Sequence, residues 1–267
     1  MLMPLTDIVP AIFSISISLL FVLAFLVPAG SYLFYKFRIS KPLNYTTVLD
    51  IVKYIARNVA VYMVLSLVTY LMLMGIIRYY PLRDDIGFLQ FKKEYLDILP
   101  WKIAFYTHVF TIIFALLAGF TQFSASILAK YKRLHRLVGK IYVYDVFLNF
   151  PVAFVMGIYA NGLLPTKIAF MLLDCLWFWF TYRAVTEIRK GNVLAHKEFM
   201  IRSYALTLSA VSLRFWKIVI LSFMHVDPLP LYMINAWLGF VPNLLFAEWL
   251  IRKRRQQLAL KAHIVQY

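Results

Sequence analysis

The sequence predicts an all-α membrane protein: a bundle of seven transmembrane helices with its N-terminus outside and its C-terminus in the cytoplasm. Of its 267 residues, 63% are apolar and only 15% are charged, and the mean hydropathy is +0.75. A soluble domain has about 45–50% apolar and about 25% charged residues. The apolar residues form repeated runs near the roughly 20 residues that a helix needs to cross a bilayer. Basic residues cluster between alternate runs.

Seven apolar stretches define the predicted spans. They cover about 8–35, 56–79, 103–129, 141–163, 167–188, 199–224 and 231–251. No internal repeat or low-complexity linker divides the sequence, so we expect a single membrane domain over 1–267. Its parts are two N-terminal spans within about 8–79, a core at about 103–217, a last span and a cytoplasmic tail at 252–267.

The placement of basic residues orients the spans. Four basic clusters occupy the first, third and fifth connections and the tail, whereas the other connections are short or mixed in charge. Lys and Arg accumulate on the cytoplasmic side of membrane proteins. We therefore expect a multi-pass protein of the inner membrane whose basic connections and tail face the cytoplasm. The same clusters account for the net charge of +16. They predict contacts with anionic lipids, each worth about 1 kcal/mol, and no nucleic-acid partner.

Polar residues recur at helical spacing in two of the spans. The sixth span carries a stripe of His196, Ser203, Thr207, Ala210, Arg214 and Lys217, and the third carries His108, Thr111, Ala115, Gly119, Gln122 and Ser126. Such spacing places each set on one helix face. Because ionisable residues within a membrane mark functional sites, we expect a polar site between the third and sixth spans.

Depth along the helices, at about 1.5 Å per residue, divides the polar residues into two groups. The outer group consists of His108, Asp174, Arg214 and Lys217. An unpaired charge at that depth is unfavourable, so we expect Asp174 to be the counter-charge of Lys217 or Arg214. The inner group consists of Gln122, His135, Asp145, His196 and Arg202, with Arg136 beside His135.

Three segments, HVFTIIFALLAGFTQF, LHRLVGKIY and HKEFMIRSYALTLSAVSLR, resemble a family of bacterial membrane proteins called domain of unknown function 2306. The resemblance covers about 105–216. It rests on His108, Gly119, Gln122, His135, Arg136, Gly139, Tyr142, His196, Met200, Arg202, Ser203, Tyr204 and Arg214. The resemblance implies a shared site but brings no settled activity.

Redox chemistry is the first function that these residues suggest. His135 and His196 lie at similar predicted depth, so they are the best-matched pair to ligate the iron of haem b or another metal. The helix-borne histidines resemble those of two-haem b-type cytochromes by analogy only. The cations that could hold haem propionates or a quinone head group are Arg136, Arg202, Arg214 and Lys217. The alternative is that both histidines bind lipid phosphate near the interface.

Two further functions stay open. Transport of protons or a small solute fits the polar stripe with Asp174 opposite, although the sequence shows neither inverted repeats nor Gly/Pro-broken helices in matching positions. A non-catalytic role in assembly would use the stripes to bind a membrane-protein partner. The single cysteine, Cys175, excludes an intrachain disulfide. No nucleotide-binding or hydrolase motif is present, so we assign no enzymatic reaction.

Overall fold

The computed structural model describes residues 45–80, 82–123 and 125–265, where every regular element is helical. The predicted first span, 8–35, lies outside the described residues. The described chain contains five helices long and apolar enough to cross a membrane, or six if a bent pair counts as one span. The all-α membrane fold is therefore confirmed. The count of seven spans, the orientation of the termini and the single domain stay predictions.

Ten α-helices follow one another in the described chain. They are α1 (Tyr45–Ile77), α2 (Leu99–Thr111), α3 (Ile113–Gln122), α4 (Ala125–Lys130), α5 (Lys132–Ile158), α6 (Leu164–Arg189), α7 (Val193–Thr207), α8 (Ser209–Phe223), α9 (Pro228–Leu238) and α10 (Val241–Val265). Two short 3-10 helices, Gly87–Phe91 and Lys93–Tyr95, precede α2.

The candidate spans match the predicted second to seventh spans in order. They are Val59–Ile77, α2 with α3, α5, α6, the bent pair α7 and α8, and Pro228–Leu260. The predicted boundaries are wrong where apolar residues extend into a connection. The candidate span that matches the predicted third span ends at Gln122 rather than 129, and the next candidate span begins at Lys132 rather than 141.

Close contacts divide the described residues into two compact units. Unit 1 contains α1 and residues 117–140, and unit 2 contains residues 82–116 and 141–265. In unit 1, the Gln122 side-chain amide donates to the main-chain carbonyl of His135 at 3.0 Å. A Cβ atom at Gly139 would lie 3.1 Å from Gln122 Oε1. A glycine at this position therefore leaves room for the Gln122 side chain beside the helix backbone.

Unit 2 is built around α6, which packs along α7 and against α9, while α10 packs against α7. One face of α6 is buried at Thr166, Ala169, Asp174, Trp177, Thr181, Ala184 and Glu187. Both alanines are fully buried. Small residues at such positions let membrane helices approach closely, which brings the polar side chains of α6 next to those of α7.

The predicted third span is interrupted at Ile112, between α2 and α3. The N–H groups in the first turn of a helix have no acceptor within that helix. One of them, at Ala115, donates to Asp145 Oδ2 at 3.0 Å. The Thr111 hydroxyl donates back to the Thr107 carbonyl at 2.7 Å, a contact that often bends helices.

The predicted sixth span is interrupted at Leu208, where α7 and α8 meet at a bend of 44°. The expectation of one continuous helix from His196 to Lys217 is therefore wrong. The Asn243 amide bridges the bend: its nitrogen donates to the Ala205 carbonyl at 3.1 Å, and its oxygen accepts from Ser212 Oγ at 2.9 Å. A side chain that occupies helix backbone groups in this way is a recognised cause of kinks.

Candidate functional site

A cavity of about 200 Å³ lies within unit 2, and both helix interruptions contribute to its wall. Ile112 lines it at the first interruption, and Thr207 and Ser209 line it on either side of the second. The remaining wall comes from α2, α5, α6, α9, the connection before α2 and neighbouring residues of α7 and α8. Ile112 and Leu208 themselves keep right-handed helical backbone angles, and their N–H groups donate to the carbonyls of His108 and Tyr204. Each interruption is therefore a local break in an otherwise helical path.

Asp174 of α6 is the acidic residue of the cavity wall. It is 8% exposed. Within the described chain its carboxylate has no hydrogen-bond donor and no ion-pair partner. Buried carboxylates normally have such partners. Asp174 therefore presents an uncompensated acceptor group to the cavity.

His108 of α2 also lines the cavity and is held from behind by a polar network. Its Nδ1 lies 2.9 Å from Asn149 Oδ1. The Asn149 nitrogen donates to Asp145 Oδ1 and Thr111 Oγ1, each at 2.9 Å, so its oxygen is the acceptor for the imidazole. Nδ1 of His108 therefore carries a proton, which leaves Nε2 for a ligand or a second proton.

A second buried network centres on the hydroxyl of Tyr142. This oxygen lies 2.6 Å from Ser203 Oγ and 2.9 Å from Thr207 Oγ1, and it accepts from Trp177 Nε1 at 3.2 Å. Thr181 Oγ1 lies 2.6 Å from Ser203 Oγ. Since Trp177 and Thr207 also line the cavity, the network fixes part of the cavity wall.

Lys92 closes the cavity from the connection that precedes α2. It is only 1% exposed, and its ammonium group donates to the Tyr159 carbonyl. The same nitrogen lies 4.7 Å from the ring centroid of Tyr95 and 5.8 Å from that of Phe88. Burial lowers the pKa of Lys92 to about 8, with Glu94 acting to raise it and Lys167 to lower it.

The family model described as "Predicted membrane protein (DUF2306)" matches residues 105–251, more than half of the chain. The chain belongs to this family. The matched region of the DUF2306 protein includes both helix interruptions as well as His108 and Asp174. Comparisons with curated proteins and with solved structures find no match. The function of this DUF2306 protein is therefore inferred from its geometry.

The outer group predicted for the DUF2306 protein is brought together only in part. His108 and Asp174 line one cavity, whereas Arg214 and Lys217 are exposed. Arg214 Nη1 donates to the Ala210 carbonyl at 2.7 Å. The expected ion pair of Asp174 with Arg214 or Lys217 is not formed in the described chain. Both cations lie beyond the bend at Leu208, where Ala210 still lines the cavity but Arg214 and Lys217, further along α8, do not.

The inner residues that lie on α7 are fixed by specific partners. Arg202 donates to both carboxylate oxygens of Glu248 on α10, at 2.5 and 3.0 Å. His196 Nδ1 lies 2.9 Å from the Ala184 carbonyl, and the Tyr204 hydroxyl donates to the Leu116 carbonyl at 2.9 Å. These contacts position α7. Of the three residues, none lines the cavity.

Of the other inner residues, Gln122, His135 and Arg136 belong to unit 1, whereas Asp145 belongs to unit 2. The carbonyl of His135 accepts the Gln122 amide, and exposed Arg136 donates through Nε to the Lys132 carbonyl at 3.4 Å. The pairing of His135 with His196 as metal ligands stays a prediction. Among the described residues, no three His, Cys, Asp or Glu side chains form a group that could hold a metal ion.

The sequence did not reveal two features of the site. Lys92 stands in a connection of mixed charge, where a lysine is ordinarily exposed. Trp177 stands in an apolar run with no sign that its indole joins Tyr142 and Thr207. The one available signal is aromatic: Phe88 and Tyr95 flank Lys92, and buried cations often lie over aromatic rings.

Proposed function

We propose that this DUF2306 protein carries a small polar solute across the membrane and binds it in the cavity of unit 2. The observation that carries the proposal is Asp174, a buried carboxylate on the cavity wall with no partner in the described chain. An unpaired charge at membrane depth costs at least about 2.5–3.5 kcal/mol on insertion scales. A positively charged group of a solute, or a proton carried with it, would compensate that charge.

The helix interruptions support transport over the other functions. Secondary transporters commonly build their solute site from discontinuous helices, where unwound backbone and helix ends face the ligand. Here the interruptions at Ile112 and Leu208 both line the cavity. His108 Nε2 supplies a second polar group for a solute or a proton. The site thus combines a carboxylate, an imidazole, the junction of α2 with α3 and the bend between α7 and α8.

Uptake into proteoliposomes tests the proposal. Liposomes with the purified protein should take up at least one of three labelled solutes (a small amine, an amino acid or a carboxylic acid) faster than protein-free liposomes. The change Asp174→Asn should reduce that uptake at least about tenfold, which corresponds to 1.4 kcal/mol. Asp227→Asn is the matched control because Asp227 is exposed at the start of α9. Equal uptake by Asp174→Asn and the unchanged protein contradicts the proposal.

A redox function is the second candidate, and the geometry of His196 favours it. Its Nδ1 faces the Ala184 carbonyl, as in metal-bound histidines that donate their other ring N–H to a carbonyl. His196 would be one ligand of the iron of haem b, which supplies one-electron transfer when bound, and its pairing with His135 stays a prediction. The cavity volume of about 200 Å³ is smaller than that of pockets for drug-sized ligands, which is about 300–1,000 Å³. The cavity is therefore too small for haem. A purified sample without a Soret band or bound quinone would contradict this candidate.

We also propose that the protein resides in the inner membrane and contacts anionic lipids at the cytoplasmic face. Exposed cations of the predicted cytoplasmic clusters support this: Arg133, Lys140, Arg189, Lys190, Arg252 and Lys253. Cation clusters beside membrane helices attract anionic headgroups. Flotation with vesicles of neutral and of anionic lipid, using the detergent-purified protein, measures the preference. A role in membrane assembly would instead show as a partner that co-purifies in fixed ratio.

A further inference from the structure

The cavity of unit 2 is lined by a buried carboxyl group and a buried amino group that do not pair with each other. Lys92 is 1% exposed and Asp174 is 8% exposed, and both lie on the cavity wall. No ion pair joins them, or joins either to another residue, in the parts of the chain that the structure describes. Each charge is therefore left for a ligand to compensate.

The groups in direct contact with Lys92 are neutral, and Glu94, which raises its pKa, forms no ion pair with it in the described chain. An ammonium group has three N–H donors, and one of them is used by the Tyr159 carbonyl. The rings of Tyr95 and Phe88 attract the cation through their faces, an effect worth about 0.5–2 kcal/mol. These contacts hold the ammonium in place and leave donors for an anionic ligand group.

The charge balance of the cavity selects among ligand classes. A simple amine would compensate Asp174 and leave Lys92 with an additional cation nearby, whereas a simple carboxylate would do the reverse. Removing one member of a buried pair leaves the other charge uncompensated, which is strongly unfavourable. A ligand that carries both charges, and is neutral as a whole, satisfies both residues.

The rest of the wall matches the apolar part of such a ligand. Trp101, Phe170 and Trp177 line the cavity together with Leu173, so a short methylene chain would contact aromatic and aliphatic surface. The volume of about 200 Å³ restricts the ligand to a small molecule. Specificity then comes from two charged ends, as in pockets where a few polar groups fix the orientation of a ligand.

We propose that the solute is a small zwitterion whose ammonium group binds Asp174 and whose carboxylate binds Lys92. This inference rests on the proposed function, since it names the class of solute that the same cavity carries. The ligand class is that of amino acids with few heavy atoms, including those with the amine at the far end of the chain.

Equilibrium binding to the full-length, detergent-purified protein tests the inference with matched probes. The zwitterionic probes are glycine, 4-aminobutanoate and 6-aminohexanoate. Each is compared with the amine and the acid of the same chain length, which carry one charged group each; for 4-aminobutanoate these are butylamine and butanoate. Trp101 and Trp177 line the cavity, so tryptophan fluorescence reports binding. At least one zwitterion should bind at least tenfold more tightly than the amine and the acid of the same chain length.

Charge-removing variants assign the two ends of the ligand. Asp174→Asn should reduce zwitterion affinity to that of the matched acid, and Lys92→Met should reduce it to that of the matched amine. Lys93→Met and Asp227→Asn are controls that should leave affinity unchanged, because both residues are exposed. If Lys92→Met does not fold, Lys92→Gln replaces it. The comparison of probes on the unchanged protein still tests whether a zwitterion is preferred.

Each outcome separates the inference from the proposed function. Equal affinity for a zwitterion and its matched amine or acid overturns the inference, while uptake of that single-charge probe keeps the carrier function. Tight zwitterion binding without uptake supports the ligand class and contradicts transport. No binding of any probe overturns the inference.

Discussion

The Oδ2 atom of Asp145 lies 3.0 Å from the main-chain nitrogen of Ala115, so a carboxylate of α5 accepts a hydrogen bond from the first turn of α3. The other oxygen of Asp145 accepts from Asn149, which holds His108. One carboxylate therefore supports both the interruption at Ile112 and the imidazole on the cavity wall.

Asp145→Ala should destabilise the protein by about 1–3 kcal/mol, the usual effect of leaving buried donors without an acceptor. The donors left are the Ala115 N–H and the Asn149 amide. Asp145→Asn should be milder because its amide oxygen still accepts. Thermal unfolding in detergent measures the difference. Asp97→Ala is the control, since Asp97 is exposed; equal melting temperatures for all variants would show that Asp145 does not cap α3.

Tyr142→Phe should also destabilise the protein, because one hydroxyl contacts Ser203, Thr207 and Trp177. The expected loss is about 1–3 kcal/mol for the buried groups left unpaired. Tyr144→Phe provides a matched control, since Tyr144 lies on the same helix and is 71% exposed. The near-ultraviolet circular dichroism of Trp177 and the melting temperature should both change in the first variant alone. A stable Tyr142→Phe protein would mean that the network is not required for packing.

Arg255→Ala should weaken the attachment of α10 to α7. Arg255 donates to both oxygens of Glu198, at 2.7 and 2.5 Å, and Glu198 is 4% exposed. Loss of the arginine leaves a buried carboxylate without its cation, whereas Arg252→Ala removes an exposed cation that forms no ion pair in the described chain. A double-mutant cycle with Glu198→Gln should give a coupling energy of about 0.5–3 kcal/mol. A coupling near zero would show that the pair does not stabilise the protein.

Zwitterion binding should weaken as the pH rises through about 8, the value to which burial lowers the pKa of Lys92. Below that pH the ammonium is charged and attracts the ligand carboxylate; above it the attraction is lost. Among the neighbouring groups, Glu94 and Lys167 shift this pKa in opposite directions, and the pKa of Tyr95 is raised from its usual 10, mainly by its hydrogen bond to Glu94. Lys92→Arg should abolish the pH dependence because arginine stays charged. An unchanged pH dependence in that variant would exclude Lys92 as the titrating group.

Much of the helical architecture could be predicted from the sequence because long apolar runs have few alternatives in a membrane protein. The two interruptions could not. Gly and Pro are the usual signals of a break, whereas Ile112 and Leu208 are ordinary helix-compatible residues. These breaks are stabilised by Asp145 and Asn243, which lie far away in the sequence.

Part of the candidate site was predictable for a similar reason. Depth along the helices singled out His108 and Asp174, since an ionisable residue inside an apolar run needs a polar environment. Both line the cavity, and their role as site residues stays a prediction. Depth failed for Arg214 and Lys217 because their predicted face assumed an uninterrupted helix. Lys92 was missed because its burial depends on the fold of a connection, which carries no periodic signal.

The bend at Leu208 gives the two halves of the sixth span different mechanical roles. α7 is fastened to α10 by the charged pairs of Arg202 and Glu198, whereas α8 is held by neutral contacts such as the Asn235 amide on the Leu213 carbonyl. Charge-assisted hydrogen bonds are roughly twice as strong as neutral ones. We therefore expect α8 to be displaced more easily than α7 about the bend at Leu208, together with the residues of α8 that line the cavity.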